Sequence, residues 1–164
     1  MIGAGPVSPR AAALMAAGTK MQFSRCMASL LADMERPGDL PTPAQVVAAV
    51  HQAMTANLQA LDAFVTLSYI RLDMLAGTLT WVGCGHEEPL LFRRDGVMVT
   101  LPNQHPPLGV LATDDFQQDV LPYVEGDALF LSSDGAADAL MPDGSRLGRA
   151  RVTAMLTALM ARLD

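Results

Sequence analysis

The first 32 residues contain no Asp or Glu, although the chain of 164 residues carries 17 acids against 11 Lys and Arg, a formal charge of −6. An acidic balance excludes a surface built for nucleic acid or anionic membranes, which needs a basic face. Cysteine is scarce: Cys26 and Cys84 form no C-x-x-C or zinc spacing and no disulfide framework. Free thiols of this kind suit a reducing, cytoplasmic location. Long apolar runs are lacking too. The longest uncharged stretch, Leu40 to Leu61, holds Pro41, Pro43, His51 and several amides, and is too polar to cross a bilayer. Only Arg10 precedes the alanine-rich stretch 11–17, with no cleavage site of a secretory signal. G-x-x-x-x-G-K-[ST] and G-x-S-x-G are absent, which removes P-loop and α/β-hydrolase readings.

What is present suffices for one core. Hydrophobic residues make up 51% of the chain, and no linker or repeat divides it, so a single domain over 1–164 is expected. Residues 9–34 read as a helix, with Leu14, Met15, Met21, Met27, Leu30 and Leu31 forming a broad apolar side. A second helix starts clearly, with Thr42 as N-cap, Pro43 at its first position and Gln45 three residues after the cap. Its Val46, Val50, Met54, Leu58 and Leu61 recur at near-helical spacing.

After Asp62 the period changes to that of strands. Segments 63–72 and 78–84 are joined tightly, and 90–93 and 97–101 flank the turn Arg94-Asp95-Gly96. Segment 116–123 reads as an edge strand, 128–132 as a short buried one, and 146–163 as a closing helix with Val152, Met155, Leu156, Leu159, Met160 and Leu163 in one stripe. Segregated helices and hairpin-linked strands predict an α+β fold rather than a parallel Rossmann-like sheet.

Two places carry candidate chemistry. In Ala128–Gly135 an apolar strand ends in Asp134, and Gly135 lets the backbone turn sharply. Hard dications bind carboxylate oxygens, and a strand end would hold Asp134 rigidly as a metal ligand. An Asp that merely caps the turn or the following helix is the simpler alternative. Cys84-Gly85-His86 also follows a strand. It reads as a nucleophile beside a base or as a turn with one satisfied polar residue, since a catalytic Cys/His pair needs a third, orienting group. His51, His86 and His105 share no zinc-binding spacing, and the 11 methionines fall at core-like positions.

Six segments in order resemble one family: Ala11-Ala12-Ala13-Leu14-Met15; Phe64-Val65-Thr66-Leu67; Gly77-Thr78-Leu79-Thr80-Trp81; Gly83-Cys84-Gly85-His86-Glu87-Glu88-Pro89-Leu90-Leu91; Pro107-Leu108-Gly109; and Gly126-Asp127 through Asp134-Gly135. They are similar to A-A-L-L-M, F-V-T-L, G-x-L-x-Y, N-A-G-H-x-P-x-L-L, P-L-G and G-D-x-L-x-L-Y-T-D-G of bacterial PPM-type serine phosphatases, the sporulation stage II E-like group that controls sigma factors. The resemblance covers nearly the whole chain. It implies an α-β-β-α sandwich of two antiparallel sheets flanked by helices. It also implies two Mn²⁺ or Mg²⁺ ions that activate a water against phosphoserine phosphorus. The substrate implied is a phosphoserine protein of the anti-sigma-antagonist type.

The chain departs from the pattern at identifiable places. The family has G-D-V-S-G-H-G just before A-A-L-L-M, with an Asp that bridges the two metals; here the stretch is Gly3-Ala4-Gly5-Pro6-Val7-Ser8-Pro9-Arg10. The family's earlier strands and its C-terminal D-D-x-T segment have no counterpart, so a sandwich lacking some terminal strands is expected. Of the metal ligands only Asp134 is matched, with Gly135, Cys84, Gly85 and His86 in the motifs beside it. The resemblance therefore implies a metal-dependent protein-serine phosphatase domain with an incomplete metal site. The alternative is a pseudophosphatase that docks a partner without hydrolysis. Self-association is also expected, because missing strands leave sheet edges unpaired.

Overall fold

The computed structural model describes residues 2–4, 9–36, 38–112 and 115–162. The elements follow the order β1 (Ile2–Ala4), α1 (Pro9–Ala32), α2 (Pro43–Ala60), β2 (Val65–Asp73), β3 (Thr78–Cys84), β4 (Leu90–Phe92), β5 (Met98–Thr100), β6 (Asp119–Pro122), β7 (Ala128–Phe130), α3 (Asp134–Asp138) and α4 (Arg149–Met160). The start of α2 is built as its sequence requires. Thr42 Oγ1 accepts the Gln45 N–H at 3.2 Å and Gln45 Oε1 accepts the Thr42 N–H at 2.7 Å. This reciprocal pair satisfies two otherwise orphaned donors. Thr42→Ala is expected to cost about 1 kcal/mol, read as a fall of about 2–4 °C in Tm.

Two antiparallel sheets form, one in the order β1-β2-β3-β6 and one in the order β5-β4-β7. Strand β3 shows why they stack. Its Val82 and Cys84 join a core with Val47, Val50, Met54 and Leu58 of α2, while Leu79 and Trp81 point the other way to meet Leu91 and Leu101. The two-residue period thus places α2 on one face of the first sheet and the second sheet on the other. Beyond the second sheet, α4 shares a cavity with the β4–β5 hairpin, lined by Phe92, Gly96, Thr157 and Met160 among others. The layers are therefore α-β-β-α, as the resemblance implied.

Several local expectations need correction. The apolar side of α1 divides in two. Met15, Phe23 and Cys26 pack on the core, with Phe23 stacked on Tyr69 at 5.5 Å, whereas Leu14, Met21 and Leu31 are exposed. Apolar residues surround more of this helix than one contact face can cover. Leu61 ends α2 exposed, and in α4 Met155 and Leu159 are exposed, with Leu163 outside the described residues. Strand β7 is half-buried rather than fully buried, because it pairs only with β4 and forms one edge of its sheet. Strand β1 was not foreseen; three residues give no readable period, and pairing with β2 specifies it instead.

Candidate active-site surface

Two glycines allow the end of β3 to interlock with the loop 102–108. A Cβ on Gly83 would stand 2.9 Å from Asn103 Cα, and one on Gly85, whose φ is +65°, would stand 2.6 Å from Pro107 Cγ. With both side chains absent, the Gly83 N–H donates to Gln104 Oε1 at 2.7 Å, and the Gly83 carbonyl accepts the His105 N–H at 3.0 Å. Asn103 then closes a two-way link: its Oδ1 accepts the His86 N–H at 3.2 Å and its Nδ2 donates to the His86 carbonyl at 2.8 Å.

This clamp fixes the backbone of His86, and Thr66 fixes its ring, with Thr66 Oγ1 lying 3.0 Å from Nδ1. Thr66 pairs in register with Gly3 of β1, so the imidazole lies beside the strand that ends at Ala4. His86 Nε2 is buried and has no hydrogen-bond partner among the described residues. Burial holds the His86 pKa below its ordinary value, against the opposing pull of the Glu87 and Asp134 carboxylates. The ring is therefore neutral at pH 7.

Asp134 stands at the first position of α3, directly after the loop that follows β7, and is exposed. Its preceding residue, Ser133, makes no side-chain cap bond. Gly135 is next to it in the same short helix. Asp134 acts electrostatically on His86, so the two motifs furthest apart in the candidate site, 48 residues along the chain, converge here. Arg149 at the start of α4 spans Glu87 at 3.5 Å and Glu88 at 3.1 Å, linking the helix pair α3–α4 to the loop that carries His86. Exposed pairs of this kind contribute little stability and act here as a positioning contact.

Cys84 takes no part in this surface. It is buried in the core with Val65, Val82 and Leu108, and burial pushes its thiol up to about 12. A thiol that stays protonated is no nucleophile at neutral pH. His105 and His51 serve packing: both rings abut Phe116, and His105 Nε2 accepts the Gln117 N–H at 2.9 Å. Thr66, Asn103 and Arg149 were not singled out from the sequence. Thr66 and Asn103 stood in or next to recognised segments, yet their partners lie 20 and 17 residues away and leave no local trace.

The donor set does not suit a pair of hard cations. Among the described residues, no group of three or more His, Cys, Asp or Glu side chains stands close enough to hold a metal ion. β1 ends at Ala4, inside the stretch 3–10 that stands in place of the family's acidic motif and holds no Asp or Glu; Gly5 to Ser8 lie outside the described residues.

Two stacked antiparallel sheets with helices outside, and the strand-end motifs gathered at one edge, define the PPM (PP2C-type) phosphatase fold. Solved structures share it. The SiaA-PP2C domain of Pseudomonas aeruginosa superposes with a TM-score of 0.74 at 21% identity, over 95% of this chain and 58% of that one. The catalytic domain of the serine/threonine phosphatase PstP of Mycobacterium tuberculosis, solved with two manganese ions, gives a TM-score of 0.56 at 18% identity, over 96% of this chain and 80% of that one. The sequence profile of Stage II sporulation protein E (SpoIIE) matches residues 10–163, and the chain belongs to that family. Protein IcfG of Synechocystis is 30% identical over 95 residues, which is 58% of this chain and 15% of IcfG. The chain thus spans a small part of that relative and just over half of the SiaA chain. No helix among the described residues is long and apolar enough to cross a membrane.

Proposed function

We propose that this domain recognises a phosphoserine regulatory protein of the anti-sigma-antagonist type and binds it without efficient hydrolysis, as a pseudophosphatase. One observation carries the reading: no acid precedes Asp33, so the stretch around β1 supplies no bridging carboxylate and the site offers Asp134 and the neutral His86. One carboxylate and one imidazole are too few ligands for two Mn²⁺ or Mg²⁺ ions, which need several oxygen donors each. Family membership supports the substrate class, and the retained fold supports a preserved docking surface.

Asp134 favours a second reading, residual metal-dependent hydrolysis, because it matches a metal ligand of the family and is kept in its motif, at the start of α3. Phosphate release from a phosphoserine protein and from an aryl phosphate, with and without Mn²⁺, separates the two. We expect release no faster than the background and unchanged by Asp134→Asn, together with metal-independent binding of the phosphoprotein. Mn²⁺-dependent turnover that Asp134→Asn abolishes would establish the hydrolytic reading instead.

A further inference from the structure

The turn that follows α2 borders a pocket of about 330 Å³, lined by Gln59, Asp62, Ala63, Phe64, Gly109 and Val110. Three features of this pocket favour a cation. Its one ionisable lining residue is Asp62, whose carboxylate pairs with no Lys or Arg among the described residues. The negative end of α2, a helix of 18 residues with no basic residue in its last turn, lies at the same place, since Gln59 belongs to that turn. Half-buried Phe64 adds an aromatic wall, to which a positive charge is drawn.

The backbone of Asp62 points the same way. Its φ is +48°, while the other eight positive-φ positions among the described residues are all glycine. Glycine is the usual residue directly after a helix in this left-handed conformation, because it has no Cβ to strain. An aspartate kept there in spite of the strain suggests a side chain needed for something other than folding. The surroundings suit a peptide. Leu61, Val110 and Leu111 around the pocket are exposed by 67%, 50% and 54%. Ala63, Val65 and Leu67 are buried while Phe64 and Thr66 are half-buried, so Phe64 and Thr66 share one side of the extended chain. Two residues of extended chain set the pocket about 7 Å from Thr66, which holds the His86 ring.

We propose that this pocket receives an arginine side chain of a protein partner, with Asp62 as its anchor. The planar guanidinium fork suits two neighbouring acceptors, the Asp62 carboxylate and Gln59 Oε1, and its flat face suits the aromatic wall better than the compact ammonium of lysine does. The apolar rim favours a peptide over a free amine, because residues flanking the arginine cover Leu61, Val110 and Leu111. The owner of the arginine is the phosphoserine protein itself, a step that rests on the function proposed above. The arginine then stands about two to four residues from the phosphoserine along an extended chain.

NMR titration of the isotope-labelled whole chain tests this with a blocked Leu-Arg-Leu tripeptide and its citrulline analogue, in which a neutral urea replaces the guanidinium. The arginine peptide should shift the resonances of Asp62, Phe64 and Gly109 with a dissociation constant of about 0.1–1 mM. The citrulline peptide should bind at least ~10-fold more weakly. Asp62→Asn should abolish that difference with circular dichroism unchanged, since asparagine tolerates the left-handed backbone. Asp62→Gly should abolish it with Tm unchanged or raised, as expected of a residue kept for binding rather than for folding. A longer peptide with phosphoserine three residues from the arginine separates the pocket from the phosphoserine reading. Binding that needs the arginine but not the phosphate keeps the pocket and overturns that reading. Binding that needs the phosphate while arginine and citrulline are equivalent overturns the pocket. So does a lack of shifts up to about 10 mM tripeptide. Free arginine bound as tightly as the tripeptide would assign the pocket to a small cation and overturn the protein partner.

Discussion

Asp127→Ala is expected to lower stability by about 3–5 kcal/mol, the cost of removing one partner of a buried ion pair. The side chain of Asp127 is wholly shielded from solvent and that of Arg93 is only 20% exposed, with 2.8 Å between Oδ2 and Nη1. The same carboxylate accepts the Arg94 N–H at 3.0 Å and the Val124 N–H at 3.1 Å. Arg93 also donates to the Pro122 carbonyl. One side chain thus ties the β4–β5 hairpin to the end of β6 and the start of β7, joining the two sheets. Without it, a largely buried cation and two N–H groups lose their acceptor at once. For a domain of this size the loss should appear as a fall in Tm of about 10 °C.

The same residue gives a pH signature. Burial alone would raise the Asp127 pKa, but the Arg94 N–H, the Arg93 guanidinium and the Val124 N–H outweigh it and hold the carboxyl below its ordinary value. A depressed folded pKa adds stability that is fully present above the unfolded carboxyl's value, about 3.9, and is lost as pH falls through the lower folded value. Denaturant melts between about pH 6 and pH 2 should show the wild type losing this increment in acid. Asp127→Asn should show a flatter profile there. Equal slopes for the two proteins would remove Asp127 from the acid response.

Gly85→Ala is the second large effect, expected at about 2–5 kcal/mol from two additive causes. A left-handed backbone costs an alanine about 1–2 kcal/mol. The new methyl also meets the Pro107 ring at 2.6–2.7 Å, and overpacking of this kind costs about 1–3 kcal/mol more. Gly96→Ala is the natural comparison. Its φ is +82° but nothing lies within 4 Å of a Cβ there, so only the backbone cost of about 1–2 kcal/mol remains. The difference between the two Tm shifts isolates the contact with Pro107. Because Pro107 lies in the loop that holds His86 through Asn103, Gly85→Ala should also shift the His86 ring resonances in NMR spectra, and Gly96→Ala should leave them in place.

Legibility differed sharply between elements. The N-terminus of α2 was readable because its signal is contained in Thr42, Pro43 and Gln45. The hairpin β4–β5 was readable because Arg94-Asp95-Gly96 forms its turn directly. Asp127 was legible only as part of the family's Gly-Asp motif; its partners Arg93 and Arg94 lie more than 30 residues back, and a buried carboxylate looks like an exposed one in a list of residues. Asp134 was found as a strand-end acid, but its proximity to His86 emerged only when β7 paired with β4.

By itself the sequence determined the order of elements, the α+β class, the motifs of the family and the lack of any acid before Asp33. Each of these is local or compositional: a period, a cap, a turn or a missing residue type. Tertiary structure alone decided which apolar side of α1 is buried, which carboxylate is shielded and that His86 Nε2 is buried with no partner among the described residues. Periodicity shows that a helix or strand has apolar faces, but burial depends on the layer laid against each face. That layer comes from chain far away in sequence, and only the packed sandwich brings it near.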